Sequence, residues 1–278
     1  NLTIMEILGY TFFQQALLGS LLASILCGLV GTYIVTRRLV FISGGITHAS
    51  FGGVGIGVYL GLSPVVSAAL FAVASACGIQ WFGHRRDMRE DSAIAIFWTF
   101  GMSIGIICSF LTPGFTPELS SYLFGNILTI SATDLWFLCV LTVVGIAVFL
   151  TLLRPLVYTA FDTEFARSQH LPVTCIEYGM MIFTALTIVA CLRIVGIVLV
   201  ISLLTIPQVC ANLFTSRFST MALLSTAIAW LGCLGGLFLS YYLGIPSGAS
   251  IIFVSIVIYV LCKCVTLGVK HSPQAIKH

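Results

Sequence analysis

Apolar residues run through this chain in long blocks, and charged residues gather at their ends. A helix rises about 1.5 Å per residue and needs about 20 apolar residues to cross a hydrocarbon core. Blocks of that length fall at roughly 13–36, 39–60, 64–83, 92–111, 133–153, 174–192, 195–213, 219–242 and 248–267. They predict an all-α fold, a polytopic transmembrane helical bundle of about nine spans, forming one domain over 1–278. Only two residues separate 174–192 from 195–213, so a count of eight also stays open. Composition agrees: 59% of the 278 residues are hydrophobic and 8% are charged, where a soluble domain carries about 25% charged residues. So few charges cannot cover a water-facing surface, and the expected solvent is lipid.

The basic residues then orient the bundle, because Lys and Arg concentrate in cytoplasmic loops. Arg37 and Arg38 end the first block; Arg85, Arg86 and Arg89 follow the third; Arg154 and Arg167 follow the fifth. Arg217 follows the seventh, and Lys263, Lys270 and Lys277 close the chain. With nine crossings, an outside N-terminus and a cytoplasmic C-terminus, all of these lie inside and only Arg193 lies outside. The net charge of +3 therefore sits at span ends rather than in a nucleic-acid-binding patch. The stretch between 111 and 133 reads as an external, partly helical element. The longest cytoplasmic loop, at about 155–173, is amphipathic. Ten cysteines are scattered, several of them inside apolar blocks, without a CxxC pair. That pattern fits small buried hydrophobes better than disulfides or a zinc site.

Three constellations could carry function. In the second block His48 lies about ten residues, or about 15 Å, from the predicted cytoplasmic end. Ionisable groups at that depth are costly and usually face a protein interior or an aqueous cavity. Gly45, Ala49, Gly53 and Gly57 recur every four residues, a stripe suited to close helix packing. Gly44, His48, Gly52 and Gly55 form an adjacent face with one imidazole and much room. A neutral imidazole is a common ligand of transition metals; a histidine bonded to a neighbouring helix for packing explains the same residue. No second histidine falls inside a block, since His84, His170, His271 and His278 all lie in predicted cytoplasmic segments. In the seventh block Pro207 removes a backbone hydrogen bond beside Thr205, Gln208 and Asn212. Broken helices with polar neighbours mark transport paths, and a packing kink is the alternative. In the cytoplasmic loop Asp162, Glu164, Phe165, Arg167 and His170 precede Leu171-Pro172. This predicts a short amphipathic helix offered to a partner protein, or else an ordinary solvated loop. Glu177 reads either as a snorkelling charge or as a partner of that loop. No GxSxG, HExxH or intramembrane acid pair is present, so an enzyme is not predicted. No phosphate-binding GxxxxGK[ST] loop is present either, so any ATPase is another chain.

Six segments in order then resemble the membrane subunits of ATP-binding-cassette importers for zinc, manganese and iron. They are RRLVFISGGITHASFGGVGIG, EDSAIAIFWTFGMSIG, SSYLFGNIL, FDTEFARSQHLPV, RIVGIVLVISLLTIPQ and GIPSGASI. The resemblance implies a multi-pass permease of the bacterial cytoplasmic membrane that moves a divalent metal by alternating access. It implies cytoplasmic ATP-binding subunits, an extracytoplasmic metal-binding protein and a second permease copy, identical or related. Asp162 to Val173 would be the coupling helix, and the region around His48 the metal path. Many zinc and manganese members resemble one another in an aspartate four residues before this histidine. Gly44 stands there instead, which leaves open which metal is carried and whether His48 binds it directly. His170 likewise stands where many relatives have glycine. A permease for metal chelates, or an ATP-independent secondary transporter, is the alternative expectation.

Overall fold

The computed structural model describes residues 11–84, 89–113 and 130–271. All of its regular structure there is helical: α1 (Thr11–Thr36), α2 (Val40–Tyr59), α3 (Pro64–His84), α4 (Glu90–Leu111), α5 (Ala132–Thr151), α6 (Leu153–Phe161), α7 (Thr163–Ser168), α8 (Val173–Val195), α9 (Ile197–Leu203), α10 (Ile206–Asn212), α11 (Phe218–Leu243) and α12 (Ser247–His271). Arg85, Arg86 and most of the predicted external element, including SSYLFGNIL, fall outside the described residues.

Seven helices (α1, α3, α4, α5, α8, α11 and α12) are long and apolar enough to cross a bilayer. The second predicted span, α2, is 20 residues long but diluted by six glycines and a histidine. Fourteen of its residues are buried, so it faces protein rather than lipid and does not need a lipid-compatible surface. The seventh predicted span is realised as two seven-residue helices, α9 and α10, split at Leu204 and Thr205.

The polypeptide path separates the two blocks that lie two residues apart. Gly196, at φ 78°, turns the chain between α8 and α9. Glu177, in the first turns of α8, bonds Arg37 at the end of α1. Asn212, the last residue of α10, lines a cavity with that same Arg37 and with Thr159 and Thr163. The chain therefore leaves one end of the bundle along α8 and returns to it along α9 and α10. Arg89, Arg154, Arg167 and Arg217 border helices that start or finish at this end.

The main core runs through α1, α3, α8, α9 and α11, with Leu26, Ile79, Ile188, Leu199 and Ala229 fully or almost fully buried. Along their most apolar stretches α1 and α8 are 67% buried, against 17% for α4 and α12. The first pair thus forms the centre and the second the rim. A smaller core of Tyr33, Phe149, Leu156, Ala160, Met180 and Phe218 seats α6 on the bundle. The ten cysteines form no disulfide; Cys27, Cys191, Cys210 and Cys233 pack as buried hydrophobes.

Candidate transport path and coupling helix

His48 is the ninth of the twenty residues of α2, half-way along it. Its imidazole stacks on the Trp98 indole of α4, with centroids 4.2 Å apart and planes within 8°. Its Nδ1 is buried and has no hydrogen-bond partner. The stack depends on two helices meeting backbone to backbone. A methyl at Gly52 would lie 2.7 Å from the Gly101 carbonyl oxygen, and one at Gly55 would lie 2.7 Å from the Gly105 Cα. Gly101 and Gly105 are four apart on α4, so two small-residue pairs interlock, as in close membrane crossings.

This packing changes the reading of both faces of α2. The face of Gly44, His48, Gly52 and Gly55 is covered by α4 rather than open. A Cβ on Gly44 would touch the Trp98 ring at 3.8 Å, an ordinary contact. The stripe of Gly45, Ala49, Gly53 and Gly57 serves two neighbours. Gly45 meets Ile94 and Ala49 meets Gly101 on α4; Gly53 and Gly57 meet Ser67 of α3. Trp98 was not singled out from the sequence, because an aromatic on an apolar helix carries no signal of its own. The position of His48 four and seven residues from the interlocking Gly52 and Gly55 was the available clue.

The broken span has a definite local cause. Pro207 has no N–H, so the Leu203 carbonyl four residues back loses its helical donor. The Gln208 side chain supplies the missing donor: Nε2 lies 3.0 Å from Leu203 O and 2.7 Å from Cys27 O on α1. Gln208 is fully buried, and its Oε1 is left without a partner. A Cβ on Gly31 would come within 2.5 Å of Gln208 Nε2, so α1 needs glycine there. Thr205 Oγ1 donates to Ile201 O at 2.9 Å. Among the described residues, no hydrogen bond joins His48 to Thr205 or Gln208.

The loop at about 155–173 is largely helical. α6 starts at Leu153, directly after α5, and α7 is the short helix expected from the motif. Asp162 caps α7: its Oδ1 accepts from the Phe165 N–H at 3.0 Å. The C-terminus closes as a Schellman motif, with Leu171 N donating to Ala166 O and His170 N to Arg167 O. His170 occupies the left-handed position of that motif at φ 56°. Glycine enters this conformation without penalty, which gives the departure at His170 a backbone meaning. Ala166 is fully buried and anchors the helix, while Phe161 and Phe165 are exposed at 61% and 46%. Tyr158 meets Phe165 edge-on at 5.3 Å. Glu164 and Arg167 pair loosely at 3.8 Å. An exposed aromatic pair on a short capped helix is an apolar surface of the kind that marks protein contact.

Glu177 is tied to the loop through Arg37. Its Oε1 accepts from Arg37 Nη2 at 2.7 Å and its Oε2 from Gln80 Nε2 at 3.3 Å. Arg37 Nη1 in turn donates to Thr159 O, near the end of α6, at 2.8 Å. Among the described residues there is no group of three or more His, Cys, Asp or Glu side chains arranged to hold a metal.

The chain matches the ABC 3 transport family over residues 9–266. It is 34% identical over 268 residues to the manganese transport system membrane protein MntC of Halalkalibacterium halodurans, covering 94% of this chain and 90% of that one. It is 36% identical over 258 residues to an uncharacterized membrane protein of Synechocystis sp., covering 93% and 92%. Among solved structures, PsaBC from Streptococcus pneumoniae in complex with Fab superposes with a TM-score of 0.83 at 26% identity over 93% of both chains. An inward-facing putative metal-chelate type ABC transporter shares the fold, with a TM-score of 0.70 at 15% identity. With its bundle of apolar helices, capped loop helix and match over nearly its whole length, the chain belongs to the ABC 3 transport family, as a membrane permease of metal-importing ATP-binding-cassette transporters.

Proposed function

We propose that this permease carries manganese into the cell across the bacterial cytoplasmic membrane. The observation that carries the reading is the mid-span imidazole of His48, buried at Nδ1 and unpartnered there. The manganese names of relatives such as MntC support manganese over zinc and iron. A lone nitrogen donor binds a divalent ion weakly, and manganese lies at the weak end of the divalent series. Weak binding suits a path that must release what it takes up. Gly44 adds no carboxylate, so the ion keeps much of its water as it passes. Trp98 offers a π face beside the imidazole, which favours a nearby cation.

In this account Gly44, His48 and Gly52 mark the path on α2. Thr205 and Gln208 mark the break in the span that returns along α9 and α10. Two permease copies face each other, and an extracytoplasmic protein delivers the metal. ATP is hydrolysed on separate cytoplasmic subunits that hold α7 through Phe161, Phe165 and Leu171, with Glu164 and Arg167 at the rim. The basic residues at the α7 end of the bundle make that end cytoplasmic. His48→Ala is expected to lower manganese uptake by about tenfold or more, the range for loss of a metal-site partner. Assembly with the ATP-binding subunits stays intact, because the substitution opens space beside Trp98 and adds none. Uptake at the wild-type rate in this variant refutes His48 as part of the path.

A further inference from the structure

The His48 ring is held by an aromatic neighbour where a hydrogen bond would be expected. A metal-binding imidazole usually donates its second ring N–H to a carbonyl or carboxylate, and that bond fixes the ring. In this chain Nδ1 is buried and has no such partner. Rotation about the last side-chain bond of histidine is soft, with broad, roughly two-fold preferences. The contact that resists it is the Trp98 indole, which lies within 8° of parallel to the imidazole at 4.2 Å between centroids. The same indole reaches back to Gly44, where a Cβ would lie 3.8 Å from Trp98 Cζ3. Trp98 thus spans Gly44 and His48, which are four apart on one face of α2. Its own place is fixed by the backbone that carries it, because Gly101, three residues further along α4, meets Ala49 and Gly52 directly. His48 as a whole is half-buried. With one face under Trp98 and Nδ1 enclosed, the open part of the ring is its Nε2 edge and its other face.

We propose that Trp98 is the positioning residue of the transport path: its stack on His48 holds the imidazole so that Nε2 is the nitrogen presented to the passing ion. The inference rests on the reading of His48 as part of that path. The stack also discriminates between the free and the occupied ring. A cation on Nε2 withdraws electron density from the imidazole, and an electron-poor ring is attracted more strongly to the electron-rich face of indole. Trp98 therefore favours the metal-bound state of His48 over the empty one, without touching the metal. A leucine at this position fills space but offers neither a flat face nor π electrons. A phenylalanine keeps both.

The test uses the assembled transporter in lipid nanodiscs, with manganese chloride alone as the probe. Diethyl pyrocarbonate adds a carbethoxyl group to an accessible, unoccupied imidazole nitrogen, and mass spectrometry of the His48 peptide follows the adduct. A bound ion protects that nitrogen, so the manganese concentration that halves the reaction rate reports occupancy at His48 independently of transport. Trp98→Phe is expected to match the wild-type concentration within about threefold, and Trp98→Leu to need about tenfold more, the lower end of the range for losing the group that orients a metal ligand. Both variants are expected to assemble and melt as wild type does; Trp98→Met serves in place of Trp98→Leu if the latter does not assemble. Protection of the leucine variant at the wild-type concentration overturns the proposal and leaves His48 in the path. The wild-type protein gives a second check that needs no substitution. With excess reagent its His48 is expected to take one carbethoxyl group, because Nδ1 is closed off, and a second group would overturn the fixed ring. Manganese that never protects wild-type His48, in a transporter that still accumulates manganese, refutes the path through His48 and the role of Trp98 with it.

Discussion

Arg38 and His170 are the two non-glycine residues with positive φ among those described, at 59° and 56°. Each closes a helix with the same pattern, one N–H donating to a carbonyl five residues back and another to a carbonyl three residues back: Leu39 to Ile34 and Arg38 to Val35 after α1, Leu171 to Ala166 and His170 to Arg167 after α7. A left-handed residue with a Cβ costs roughly 1–2 kcal/mol. Glycine removes that cost but loses roughly 0.5–1 kcal/mol more backbone entropy on folding. His170→Gly is therefore expected to stabilise the complex by about 0.5–1 kcal/mol and to leave coupling intact. Thermal melting of the assembled transporter, with metal moved per ATP, checks both; lost coupling would give the imidazole a role of its own. The oddity of His170 was legible in the sequence, but its cause was not. A dihedral angle leaves no trace in residue order when histidine, one of the side chains enriched in the left-handed region, fills the place of glycine.

At the scale of elements, Pro207 announced a broken helix, and the structure supplies the repair. Gln208 replaces the amide that proline lacks and reaches Cys27, 181 residues away, in the same gesture. That distance in the chain is why the role of Gln208 could not be read beforehand. Gln208→Leu leaves the carbonyls of Leu203 and Cys27 short of a donor in a fully buried site. It should destabilise the bundle by about 1–3 kcal/mol, the cost of an unmet buried polar group. A drop in the melting midpoint of the purified permease measures this, and an unchanged midpoint would mean that the break is satisfied some other way. The glycines of α2 were likewise legible as packing residues. Their division between α3 and α4 was not, because a helix of small residues can be approached from every side. Only the bulky groups that approach it, Ile94, Phe71 and Trp98, show where each neighbour lies.

At the scale of the molecule, the polytopic helical bundle was legible, since long apolar blocks with basic ends follow from the cost of lipid burial. The sixth and seventh predicted spans were ambiguous because α8 is joined to α9 by one glycine, and a two-residue gap looks the same whether the chain turns or continues. Glu177 was ambiguous for a related reason: its partners Arg37 and Gln80 lie 140 and 97 residues away. What emerges is a buried centre of α1 and α8, with α6 seated on a small separate core. Such an arrangement can move as bodies rather than deform, as alternating access requires. The central claim is that this body motion carries manganese inward at the expense of ATP. The direct test is elemental analysis of manganese, zinc and iron in cells or vesicles holding this permease with its ATP-binding and metal-binding partners, beside an ATPase-dead control. Accumulation of manganese over zinc and iron, abolished in the control, is the predicted result. Accumulation of none of the three, or manganese accumulation that persists without ATP hydrolysis, would contradict it.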